Sequence, residues 1–137
     1  MITVRAELET KLKAFADAQV PILPIAFEDS PFTKPTNSPF LECVIVPAIT
    51  VNVTVDGNRI RELGVMQVNV WYPSGQGAGK GEALANKVIA HFPVVPISGT
   101  VSITQTPFKS RAIKDESGWR IVPVTINYRQ EGEVVPT

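Results

Sequence analysis

Apolar residues recur at helical spacing over residues 3–18, where Val4, Leu8, Leu12 and Phe15 share one side. Glu7, Glu9, Lys11 and Lys13 fall on other sides, so the pattern predicts an amphipathic helix that Pro21 ends. Residues 22–27 read as a short strand interrupted by Pro24, and 28–39, with three prolines and no period, as a long surface loop. From 40 to 55 two apolar stretches meet at Pro47. In the second, Val51, Val53 and Val55 alternate with Asn52 and Thr54, the period of a strand with one buried face. Asp56-Gly57-Asn58 supplies a hairpin-type turn. The returning strand runs to about Tyr72, with Met66, Val68 and Val70 on one side and Gln67 and Asn69 on a wet side.

Residues 73–79 form a glycine-rich connection into a second helix over about 80–92, whose stripe is Leu84, Ala85, Val88, Ile89 and Phe92 and which Pro93 stops. Val101 and Ile103 then alternate with Ser102 and Thr104. A last strong strand covers about 119–129, with Val122, Val124, Ile126 and Tyr128 on one face. Pro123 interrupts it and cannot donate a ladder hydrogen bond, which places the segment at a sheet edge or a bulge. Residues 131–137 read as a frayed tail. Helix, strands, helix, strands is the order of an α+β domain: a mainly antiparallel sheet with two α-helices packed on one face, in a single domain over 1–137.

Composition narrows the class. The chain has 137 residues, 44% hydrophobic and 19% charged, enough for a core without staples. No apolar run approaches the ~20 residues that span a bilayer. The start of the chain lacks the layout of a signal peptide, so a protein made and used in the cytoplasm is expected. Thirteen basic residues balance thirteen acidic ones, against the basic excess of a dedicated nucleic-acid binder. A single cysteine, Cys43, excludes an internal disulfide and multi-cysteine metal sites, and its apolar surroundings make it a core residue. Twelve prolines, clustered in 21–47 and 93–107, suit strands joined by stiff connections.

Candidate chemistry is sparse. Ser74-Gly75-Gln76-Gly77-Ala78-Gly79-Lys80-Gly81 sits where a phosphate-binding loop would, between strand and helix. The pattern fails at Ser74, which replaces its first glycine, and at Gly81, which replaces its metal-binding hydroxyl. His91 is the one histidine and has no nucleophile elbow to serve. Asp115-Glu116 reads as a solvated turn, and Trp71-Tyr72 and Trp119 as packing residues rather than a base-stacking platform. No cofactor, metal or catalytic residue is expected.

Three blocks carry a resemblance. They are residues 26–33 with their proline-rich continuation to Leu41; residues 64–73 with the following glycine loop and the helix to Phe92; and residues 118–124 running into Asn127-Tyr128-Arg129. Together with the leading helix they cover well over half the chain, and they resemble the tail-terminator-like proteins of long-tailed phages. The resemblance implies a non-enzymatic virion protein of the tail, assembled in the host cytoplasm. It implies a homo-hexameric ring on the head-proximal end of the major tail-tube protein, which ends tube growth and meets the head-neck connector proteins. DNA only passes through the lumen, and no membrane is involved.

Such a ring needs heterologous contacts. Loops 28–39 and 73–81 are the natural places for them: Pro31, Phe32 and Pro35 as an apolar hook, and Gly75, Gly77, Gly79 and Lys80 in the second loop. Phe32 folded back on its own core is the competing reading. The strand with Pro123 is a candidate edge for pairing with a neighbour. Another neck or tail-completion protein of the same fold, or a small ligand-binding domain using 75–81, are the alternatives.

Overall fold

The computed structural model describes residues 4–20, 22–35, 37–52, 59–75, 78–97, 101–114 and 118–133. Helices α1 (Val4–Asp17) and α2 (Ala78–His91) form where the apolar stripes recur. Leu8, Leu12, Phe15 and Ala16 of α1 and Ala85 and Val88 of α2 are buried, as is Phe92 just beyond. α1 ends before Pro21, which lies outside the described residues. α2 ends ahead of Pro93 in a tightened turn, where the Phe92 amide donates to the Ile89 carbonyl at 3.2 Å.

The strands are β1 (Ile25–Phe27), β2 (Phe40–Asn52), β3 (Arg59–Pro73), β4 (Val101–Ile103), β5 (Phe108–Lys109), β6 (Ile113–Lys114) and β7 (Trp119–Glu133). They lie in the order β1-β2-β3-β7-β4, with β5 and β6 beside β4 along β7. β1 runs parallel to β2, and the other pairings are antiparallel. The register stacks three buried rows across the central strands: Leu41–Val70–Val122, Cys43–Val68–Val124 and Ile45–Met66–Ile126. Both helices cover this face and meet each other there. The His91 and Phe15 rings are 5.3 Å apart, and His91 Nε2–H donates to the Lys11 carbonyl at 3.0 Å. With about 1.5–3 kcal/mol from each fully buried large aliphatic or aromatic side chain, this one face dominates the stability. The chain is an α+β domain.

Two close approaches hold the layers. Tyr128 of β7 lies across Gly64 of β3, its register partner, and Tyr72 lies against Gly81 of α2; a Cβ at either glycine would collide with the ring.

Several expectations change. Pro123 is not at an edge, because β7 is flanked by β3 on one side and by β4, β5 and β6 on the other. The Pro123 carbonyl accepts the Ser110 amide at 2.8 Å, so its nitrogen also faces the β5–β6 side. The missing donor therefore falls where the partner strand is broken between Lys109 and Ile113 and costs no ladder bond. β7 also continues to Glu133, paired with Arg59, so residues 131–133 are strand rather than frayed tail. Residues 40–52 form one strand with a register shift between Pro47 and Ile49, not two stretches. Val51 is 40% exposed, so its face is bare; Val53, Val55 and the turn at 56–58 lie outside the described residues.

Candidate functional site

The helices leave the other face of the sheet open, and the chain covers only one end of it. Residues 28–35 begin that cover. The Glu28 carboxylate accepts the Ile45 amide at 2.7 Å and pairs with Arg5 at 3.1 Å, which pins the chain to the edge of β2. That backbone hydrogen bond, helped by Arg5, holds the carboxyl below its ordinary range. Asp29 then takes a left-handed turn, φ 55°, a conformation aspartate tolerates.

The turn lays Phe32 against Phe40, ring centroids 5.3 Å apart. Phe40 stacks on Trp71 at 5.3 Å and meets the edge of Trp119 at the same distance. Lys34 Nζ stands 4.7 Å from the centre of Trp71 and 4.8 Å from that of Trp119. Below this cluster Glu42 accepts from Asn69 Nδ2 at 2.8 Å and Trp71 Nε1 at 3.3 Å, and Gln67 Nε2 donates to Asn69 Oδ1 at 2.9 Å. The middle of the outer face is thus a set of bonded polar side chains.

The expected contact residues are placed as follows. Pro31 is exposed, while Phe32 and Pro35 are half-buried, Phe32 in the folded-back position just described. Pro35 borders a groove of about 380 Å³ with Ile22, Pro39, Leu84 and Lys87. Gly75 has φ 89°, a left-handed turn out of β3; Gly79 and Lys80 fall in the first turn of α2 rather than in the loop, Gly79 with open space around it and Lys80 exposed. Gly77 lies outside the described residues.

The loop's resemblance to a phosphate cradle weakens further. The Ser74 amide donates to the Gly118 carbonyl at 2.9 Å, and glycine at position 81 answers to the Tyr72 ring that fills its side-chain space. Trp71 and Trp119 are shared with Phe40 and covered by Lys34, which leaves no free stacking platform on either.

Cys43 is fully buried, and burial pushes its thiol up to about 12. His91 is a helix-to-helix tie whose pKa is lowered, chiefly by burial and further by the nearby Lys11 charge. Among the described residues no group of three or more His, Cys, Asp or Glu side chains is placed to hold a metal ion. No helix there is long and apolar enough to cross a membrane.

Two surfaces escaped the sequence reading. Past the polar middle, the outer face of β2 and β3 carries Val46, Ile49 and Val51, exposed by 52%, 54% and 40%, with half-buried Leu63 and Val65 opposite. The alternation at Val51 was the signal for this strip, but it does not say which side a helix covers. At the far edge of the sheet, Phe108 and Ile113 are exposed on the outer face, and a basic pocket lies on the helix side of the same edge. Two-residue strands leave no period to detect.

The edge of β2 is itself blunted against strand pairing. The Leu41 amide faces β1 and the Ile45 amide is taken by Glu28, so Pro47 is the next residue directed outward, and it has no donor.

The arrangement is one two-layer core with exposed apolar strips, loops and a basic edge around it. The chain belongs to the phage tail terminator protein family, whose model matches residues 3–128. Sixteen solved chains match it; one is 28% identical, with a TM-score of 0.75 over 98% of this chain and 96% of its own. No curated protein matches. The family is one of structural proteins rather than enzymes, and it places the chain in the phage tail as a virion component.

Proposed function

We propose that copies of this protein assemble as a hexameric ring on the head-proximal end of the tail tube, end its polymerisation, and present the surface that joins the head-neck connector proteins. The observation that carries this reading is the bare strip Val46, Ile49, Val51 in a chain of the terminator family. Apolar side chains gathered on an uncovered sheet face mark a protein contact. The number six follows from the resemblance. Pro31, exposed on the first loop, and Gly79 and Lys80, exposed in the first turn of α2, are the residues offered to the tube or the neck, while Phe32 and Pro35 shape that loop from beneath.

DNA passes through the lumen without being gripped, in keeping with thirteen basic against thirteen acidic residues. The experiment is polymerisation of purified tail-tube protein with and without this protein, followed by electron microscopy. Tubes that shorten and carry a cap at one end support the reading; tubes of unchanged length with no cap contradict it. A cap that binds finished tubes without altering growth would assign the chain to another neck or tail-completion role.

A further inference from the structure

The edge formed by β5, β6 and the start of β7 holds a cavity of about 310 Å³ in which Lys109, Arg111 and Arg120 converge with Glu82. Lys109 Nζ donates to the neutral Asn86 Oδ1 at 2.7 Å. Arg120 Nε is buried with no hydrogen-bond partner among the described residues, and Arg111 is exposed. No ion pair joins Glu82 to any of the three among the described residues. Three cations there face one carboxylate among the described residues, so the cavity carries an unbalanced positive charge. Phe108 and Ile113, 48% and 55% exposed, stand on the opposite, outer face of the same edge, paired with Thr125 and Ile121. An edge that also exposes two large apolar side chains on its outer face suits a protein carboxylate better than a nucleic-acid backbone.

The opposite edge of the same sheet carries the complement. There the Glu28–Asp29 turn projects beside β2, with Asp29 exposed and without an ion pair among the described residues, and the strip Val46, Ile49, Val51 follows on the outer face. We infer that the basic β5–β6 edge of one subunit receives Asp29, on the Glu28–Asp29 turn of a second copy of this chain, with the apolar outer-face residues of the two edges packing beside the charge pair. Different patches on opposite sides of one subunit are what a closed head-to-tail ring requires. The inference rests on the ring reading and names its contact.

The test measures assembly by sedimentation velocity, alone and with tail-tube protein, for wild type, Arg111→Asp, Asp29→Lys and the double variant, with melting temperatures to establish folding. Each single reversal raises the concentration for half-assembly by about tenfold or more, as expected for a charge pair broken at an interface. The double variant restores assembly, since each contact again joins opposite charges. Wild type that assembles together with single variants that assemble equally well overturns this contact and leaves the ring standing. Wild type that never assembles, with or without the tube, overturns the ring reading itself. Single variants that assemble normally but lose affinity for duplex DNA would assign the basic edge to nucleic acid and overturn the inference. If Asp29→Lys melts early, Asp29→Asn, which keeps the turn, replaces it as the single variant.

Discussion

Lys34 Nζ lies between Trp71 and Trp119, 4.7 and 4.8 Å from the two ring centres, although the tryptophans come from different strands. The ammonium faces two rings at once while Phe32 lies on Phe40 beside it, so the 28–35 segment is tied to the sheet by a cation and a ring. Lys34→Met keeps the stem and removes the charge; it costs about 1–2 kcal/mol, the sum of two cation–π contacts. Phe32→Ala costs a further ~1–2 kcal/mol of apolar burial. Urea unfolding checks both. An unchanged midpoint for Phe32→Ala would mean that the ring is held elsewhere, as a hook would be.

Tyr128 against Gly64 predicts an overpacking effect. Gly64→Ala forces the buried tyrosine ring or the β3–β7 ladder to move and costs about 1–3 kcal/mol. Gly64→Ala combined with Tyr128→Leu recovers part of that loss because the obstructing ring is gone. Thermal melts of the single and double variants read the coupling directly.

His91 predicts the acid side of the stability curve. Its folded pKa lies below the ordinary histidine value, so its contribution is full above about 6.5 and is lost as pH falls through the folded pKa. The Glu28 carboxyl is lowered too, so it adds a second loss at more acid pH. His91→Gln flattens the first of these two phases and leaves the second. Denaturant midpoints measured between about pH 7 and pH 3 separate them.

Cys43 predicts silence. A fully buried thiol pushed up to about 12 gives almost no thiolate at neutral pH, so a disulfide reagent labels it only as fast as the protein opens. Labelling in urea should follow the unfolding curve; fast labelling in buffer would show an accessible thiol.

Both helices and the pairing faces of the central strands were legible because each is written in a local period. Leu8, Leu12 and Phe15 repeat at helical spacing, and Met66, Val68 and Val70 alternate, whatever the rest of the chain does. Pro123 was misread because the cost of a missing donor depends on what lies opposite, and that is the break between β5 and β6. The seat of Phe32 and the place of Lys34 between the tryptophans join parts of the chain far apart in sequence, so no window of residues contains them. The basic edge is the extreme case: Lys109, Arg111 and Arg120 look like scattered solvated charges until β7 gathers them into one cavity.

The most direct measurement is the mass of the species this protein forms, by sedimentation velocity over a wide concentration range with and without tail-tube protein. A discrete species of six subunits, alone or only in the presence of the tube, is the result expected of a ring that caps the tail. A monomer at every concentration, indifferent to the tube, would contradict it.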